Sequence, residues 1–196
     1  MKVHSAASER NREPIAGVLA EVLPGAPAGA VLEIAAGSGM HAAWFGARFG
    51  ERVWIPTDVD EGALSSIDAW TAGLANVRRA VRLDVMAARW PVEEAVGVVF
   101  CANMIHIAPW GATAGLMAGA GRVLGVGGVL VLYGPFRFDG QFTAESNAAF
   151  DGWLKARDPA WGCRIWGGGR GGGGAWVGAA GGVGVAGEQP WWCSKG

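Results

Sequence analysis

The most constraining feature of this chain is the run Ala30-Val-Leu-Glu-Ile34, followed at once by Ala-Ala-Gly37-Ser38-Gly39 and then Met40-His41-Ala-Ala-Trp44-Phe45. A short apolar run bounded by glycines reads as a buried strand. Glycines at its end let the backbone come close to a group that a Cβ would exclude. The stretch that follows reads as a helix, whose first N–H groups have no partners of their own. Strand, glycine turn and helix in this order make a nucleotide-binding unit.

The rest of the chain repeats the alternation. Strands are predicted at Val53 to Pro56, Val81 to Leu83, Val96 to Cys101 and Gly128 to Tyr133, with helices at Met40 to Phe49, Glu61 to Ala72 and Ala112 to Leu124. Ahead of them, Ile15, Val18, Leu19 and Val22 mark one face of a helix that Pro14 is expected to open in its first turn. Pro56 is expected at a strand end, where a missing N–H costs little. Strands alternating with helices imply one α/β domain with a mostly parallel sheet covered on both faces. After Tyr133, a stretch from Ser146 to Lys155 carrying Phe150, Trp153 and Leu154 is placed to cover the mouth of a site.

Composition narrows the function classes. Charged residues are only 17% and the formal net charge is -1, which disfavours a nucleic-acid backbone as partner. Apolar runs break off before the ~20 residues of a membrane span, and the opening MKVHSAASERNREP lacks a signal-peptide core, so a cytoplasmic protein with no membrane partner is expected. Cys101, Cys163 and Cys193 have neither the number nor the spacing of a disulfide framework or a zinc site; reduced structural thiols and no metal are expected.

Several acids stand at strand ends. Asp58 follows the second strand at roughly 20 residues beyond the glycines, where an acid can accept from both ribose hydroxyls. Asp60 is the better cap for the next helix. Glu33 is costly to bury without a cation or several donors, and the ammonium of an amino-acid moiety would serve. Asp84 can accept from an adenine amino group with Val85 packing on the ring; a solvated turn is its competing reading. His106 could be a general base near neutral pH or simply hydrogen-bond a loop carbonyl, and Tyr133 could orient an acceptor. Arg10, Asn11 and Arg12, expected ahead of the first helix, could close over a bound ligand or merely solvate a terminus.

Glu33-x-x-x-Gly37-x-Gly39, Asp58 and Asp84 resemble the first three motifs of class I S-adenosylmethionine-dependent methyltransferases. More narrowly, SAASERNREPI, LEIAAGSGMHAAWF, PTDVDEGALSSI, NMIHIAPW, YGPFRFDG and SNAAFDGWLKARDPAWG are similar to a family of small methyltransferase-like proteins of no known function, from about Ser5 to Arg164. The resemblance implies a Rossmann-like three-layer domain and S-adenosyl-L-methionine as cofactor. It implies that Glu33, Gly37, Gly39, Asp58 and Asp84 contact that cofactor, with Ser38, His41, Val59, Val85 and Asn103 beside them. Asn103, Met104 and His106 would face the transferred methyl. A small or medium acceptor is expected, its identity and the oligomeric state left open. A nicotinamide-dependent oxidoreductase and a catalytically silent cofactor-binding scaffold are the rival readings.

The family resembled should end in a helix and two strands, and this chain departs from it after Arg164. The domain is therefore expected over 1–165. The Gly-rich segment 166–196 is expected to lack closing strands and to leave part of the sheet edge open, either as a flexible tail or as a stretch read out of frame. In another frame, DNA for WWCSKG yields Leu-Val-Val-Phe-Lys-Gly, a good strand.

Overall fold

The computed structural model describes residues 1–166 and 175–179. Its central sheet joins β1 (Ala30–Ile34), β2 (Trp54–Asp58), β3 (Val81–Arg82), β4 (Val96–Ala102), β5 (Leu124–Tyr133) and β9 (Ala175–Ala179) in the order β3-β2-β1-β4-β5-β9. The first four pairings are parallel and the last antiparallel. The mostly parallel Rossmann-like architecture is thus present, with its order reversing between β1 and β4. Crevices outside the carboxyl ends of the strands at such a switch point are where open α/β sheets take ligands.

Both faces are covered because both faces are apolar. Leu32, Ile34, Val99, Cys101 and Leu132 pack on one side with Trp90, Leu116 and Ala120. Val31, Val98, Phe100 and Val131 pack on the other with Ile15, Leu19, Phe45, Trp54 and Ile67. The helices are α1 (Ala6–Val22), α2 (Met40–Arg48), α3 (Glu61–Thr71), α4 (Trp110–Val123) and α5 (Glu145–Arg157). A small sheet of β6 (Arg137–Phe138), β7 (Gln141–Phe142) and β8 (Ile165–Trp166) follows β5.

Three expectations are corrected. Helix α1 starts well before Pro14, because the Ser5 hydroxyl accepts from Ser8 N–H and caps it. Pro14 therefore lies inside the helix, and Arg10, Asn11 and Arg12 belong to it. Strand β2 runs past Pro56 to Asp58. Trp54 and Asp58 carbonyls on Pro56's side of the strand accept from Arg78 and Leu83, while Val53 and Thr57 serve β1. The proline nitrogen thus faces the short β3, the side where a lost donor costs least.

The third correction concerns the edge of the sheet. Strand β9 pairs with β5 from Val129↔Ala179 to Tyr133↔Ala175, so this stretch of the edge is covered rather than open. Ladder bonds need only backbone groups, and Trp176 and Val177 are strand-forming types that the neighbouring glycines obscured. The remainder of the 166–196 segment, including Cys193 and the out-of-frame reading, lies outside the described residues. No described helix is long and apolar enough to cross a membrane.

Candidate functional site

The site grows out of the turn after β1. Ala36 N–H bonds the Thr57 carbonyl and Gly37 N–H bonds Asp58 Oδ2 at 2.9 Å, so the turn is tied to the end of β2. Gly37 has φ +57 and Gly39 φ +85, left-handed values that favour glycine. The two glycines do different work. A Cβ on Gly39 would stand 2.5 Å from the Ile67 Cα, so this glycine lets α3 approach the loop. A Cβ on Gly37 would meet nothing within 4 Å and would project into open space, the form of a cradle.

Asp58 is buried, and its carboxylate braces the loop: Oδ2 accepts from Gly37 and Oδ1 from Asp60 N–H at 3.1 Å. Each oxygen keeps a second lone pair. Asp60 caps α3 through Ala63 N–H at 2.7 Å, as its position before the helix predicts. Ser38 joins the bracing through its carbonyl, which accepts from the Ser66 hydroxyl at 2.7 Å; Val59 is half-exposed beside Asp58.

Glu33 stands near the end of β1, buried to 2% exposure, with Trp54 Nε1–H donating to its Oε2 at 2.6 Å. Burial pushes its carboxyl up to about 8; the Trp54 bond opposes this and the Asp58 charge adds to it. Among the described residues Trp54 is its sole donor, so the second oxygen remains for an incoming cationic group. Trp54 and Ser66 were not among the residues expected here. A Trp in a strand beside a buried Glu is the available signal, because an indole N–H seeks a partner.

His41 opens α2 and is buried among Phe45 and Phe100, stacked on the first at 5.3 Å and edge-on to the second at 6.3 Å. Its Nε2 meets Asn11 Oδ1 at 2.8 Å. Burial lowers its pKa to about 4, partly offset by a hydrogen bond to the Ser8 backbone. Helix α1 also lays Arg12 over the Trp44 ring at 4.2 Å, and Ser5 N–H reaches Met40 Sδ.

Asp84 is exposed and its Oδ1 accepts from Met86 N–H at 2.8 Å, a turn bond that leaves the other oxygen free. Val85 is core: Gly115 brings α4 so close to the Val85 carbonyl that a Cβ there would stand 2.6 Å from it. Little of the Val85 side chain is left to face an adenine.

Across the switch point, Asn103 adopts φ +64 after β4 and its N–H bonds the Tyr133 carbonyl at 2.8 Å. Asparagine tolerates this region, and such outliers gather at functional sites. Tyr133 is half-buried at the end of β5, and burial raises its pKa, which keeps the phenol protonated. Met104 is buried behind Asn103.

His106 does not present itself as a base. Its ring is 0% exposed, Nδ1 accepts from Arg164 N–H at 3.2 Å, and Phe136 packs edge-on at 4.8 Å. Gly134 lies against the ring where any Cβ would collide with Nε2. Burial lowers its pKa to about 4, with Arg164 adding to the effect and a backbone bond involving Gly162 opposing it. The ring joins the segment after β4 to the segments around Phe136 and Arg164.

Other polar groups are taken up by the fold. Cys101 and Cys163 are buried thiols, raised by burial to about 12 and about 11. A cavity of about 590 Å³ lies at the opposite, N-terminal end of the strands. Its Arg52 donates to the carbonyls of Leu23, Ala26, Pro27 and Gly29, so that its guanidinium closes a loop rather than facing a ligand.

With this geometry in place, the comparisons agree on the fold. A family model described as "Protein of unknown function (DUF938)" matches residues 2–166. The chain is similar in structure to an O-methyltransferase family protein from Burkholderia thailandensis, with TM-score 0.62 and 20% identity over 80% of this chain and 48% of that one. It is similar to the S-adenosylmethionine-dependent methyltransferase SibL, with TM-score 0.57 and 19% identity over 81% and 48%. It is also similar to the glycopeptide N-methyltransferase MtfA in complex with S-adenosyl-L-homocysteine, with TM-score 0.54 and 19% identity over 64% and 53%. This chain spans about half the length of these solved chains.

Proposed function

The chain belongs to the family described as "Protein of unknown function (DUF938)", and from that premise we propose that it is a cytoplasmic S-adenosylmethionine-dependent methyltransferase acting on a small or medium acceptor. The observation that carries the reading is the convergence of three groups at the switch point. Glu33 holds a buried carboxyl with one donor, Gly37 borders open space, and Asp58 is tied to the Gly37 backbone at 2.9 Å.

These residues fit the cofactor. Asp58 would take the ribose hydroxyls with its remaining lone pairs, the Gly37 backbone would lie along the amino-acid chain, and Glu33 would face the ammonium. Ser38, Gly39, His41 and Val59 shape the same turn, and the free oxygen of Asp84 would reach an adenine amino group. When bound, the cofactor supplies a methyl group activated on a sulfonium. Asn103 and Tyr133 border the acceptor side. The chain's own contribution is alignment of the acceptor atom and exclusion of water, effects that supply much of the rate in a displacement of this kind.

An oxidoreductase using NAD shares the glycine turn and the acid after β2 but has no task for a buried acid in the place of Glu33. A silent scaffold would bind the cofactor without turnover. Calorimetric titration with S-adenosylmethionine, S-adenosylhomocysteine and NAD tests the proposal. The first two are expected to bind and NAD to give no heat; binding of NAD alone would overturn it.

A further inference from the structure

The Asn11–His41 pair joins helix α1 to the start of α2, and the proposed function assigns Asn11 no contact with a ligand. Glu33 and Phe100 are register partners on β1 and β4, side by side on one sheet face. His41 stands edge-on to the same Phe100 ring. The carboxyl of Glu33 and the pair thus flank one ring, beneath the first half of α1 and next to the turn that leads into α2.

The ring's hydrogen bonds fix the amide. His41 is buried and neutral near pH 7, so one nitrogen carries a proton and the other accepts. The bond to the Ser8 backbone, which favours the protonated ring, uses a ring N–H donating to a carbonyl. Nε2 is then the acceptor, and the Asn11 amide must offer it an N–H. Oxygen and nitrogen of an amide exchange by a flip about the last torsion, so the 2.8 Å contact is kept with the carbonyl turned outward. No second partner holds the Asn11 side chain among the described residues, which leaves that carbonyl available.

We infer that Asn11 is a further cofactor-binding residue, its carbonyl oxygen held by His41 and directed, with Glu33, at the ammonium of the cofactor's amino-acid end. The inference rests on the proposed function. An ammonium has three donors and is poorly satisfied by one carboxylate oxygen, so a neutral acceptor at this place takes a second of the three. Asn11 is then a positioning device for the amino-acid end and makes no contribution to the adenosine end.

The test separates the two ends of the ligand. S-adenosylhomocysteine and 5′-methylthioadenosine, which lacks the amino-acid group, are titrated into the full chain, Asn11→Ala and Asn11→Asp. Asn11→Ala is expected to weaken S-adenosylhomocysteine about tenfold, the effect of one hydrogen bond to a charged group, and to leave 5′-methylthioadenosine unchanged. Asn11→Asp keeps an acceptor for the ammonium, and its carboxylate favours a protonated His41 whose Nε2–H then donates to it, so this variant should hold S-adenosylhomocysteine within about twofold of the original or bind it more tightly. Equal weakening of both ligands by Asn11→Ala, no weakening of either, or an Asp variant as weak as the Ala variant would each overturn the inference. If the unaltered chain binds neither ligand, the cofactor reading itself fails and this inference falls with it.

Discussion

The two sides of the switch point use their polar groups in opposite ways. On the β1–β2 side, Glu33 has one donor, Gly37 borders open space, and Asp58 keeps spare lone pairs while bracing the turn. On the β4–β5 side, the groups around Arg164 and Asp151 are taken up within the protein, while His106 Nε2 is buried without a partner among the described residues. The Arg164 guanidinium donates to the carbonyls of Ile105, Ala108 and Ala160, its backbone N–H occupies His106 Nδ1, and Asp151 takes Cys163 N–H and Lys155. On the proposed reading one side receives a ligand's polar groups and the other holds loops in place, so the two should answer differently to substitution.

The largest effect is expected from Gly39→Ala. Its Cβ would enter the Ile67 backbone at a left-handed position, so overpacking and strain add to about 3 kcal/mol or more of lost stability, seen in thermal or urea unfolding. Gly37→Ala is the contrast: with open space around it, the change should cost only about 1 kcal/mol in stability and yet weaken S-adenosylhomocysteine strongly, because its methyl occupies the cradle. Equal unfolding midpoints for the two variants would break the distinction between a packing glycine and a binding glycine.

Asp58→Ala comes next, with binding weaker by about 1.5 to 3 kcal/mol, or ten- to a hundredfold. An unchanged dissociation constant would make Asp58 a brace for the loop and nothing more. On the other side, Arg164→Ala should lower stability by about 2 kcal/mol through the carbonyls it leaves unpaired, while the dissociation constant for S-adenosylhomocysteine stays as it was. A loss of cofactor affinity in this variant would merge the two halves into one.

The smallest effect is a pH slope. Glu33 has a folded pKa of about 8 against an ordinary 4.5, so the folded state holds the proton more tightly. Its contribution to stability is complete below pH 4.5 and is lost as pH rises toward 8, at no more than about 1.4 kcal/mol per pH unit. Glu33→Gln should flatten that part of the curve in pH-dependent unfolding.

Much of the β1–β2 side was legible in the sequence because its local structure depends on neighbours in the chain. The strand Ala30–Ile34, the turn at Gly37 and Gly39, the helix from Met40 and the cap at Asp60 are all local patterns. What the sequence could not report was decided by distant contacts. Gly134, Phe136 and Arg164 close around His106, and Val85 is core because Gly115 admits α4. Pro14 read as a first-turn proline because its short-range signal outweighed the serine cap at Ser5. In the Gly-rich segment, pairing of Ala175–Ala179 with β5 rests on backbone bonds that side-chain patterns do not report.

The central claim is that the end of β1 receives the ammonium of an amino-acid-bearing cofactor through Glu33. Calorimetric titration of S-adenosylhomocysteine at pH 7, in two buffers of different ionisation enthalpy, tests it most directly, because the ligand must ionise a carboxyl whose pKa is about 8 in the free protein. The account predicts binding with release of close to one proton, and release that disappears in Glu33→Gln. Absence of binding, or the same proton count in both proteins, would contradict it.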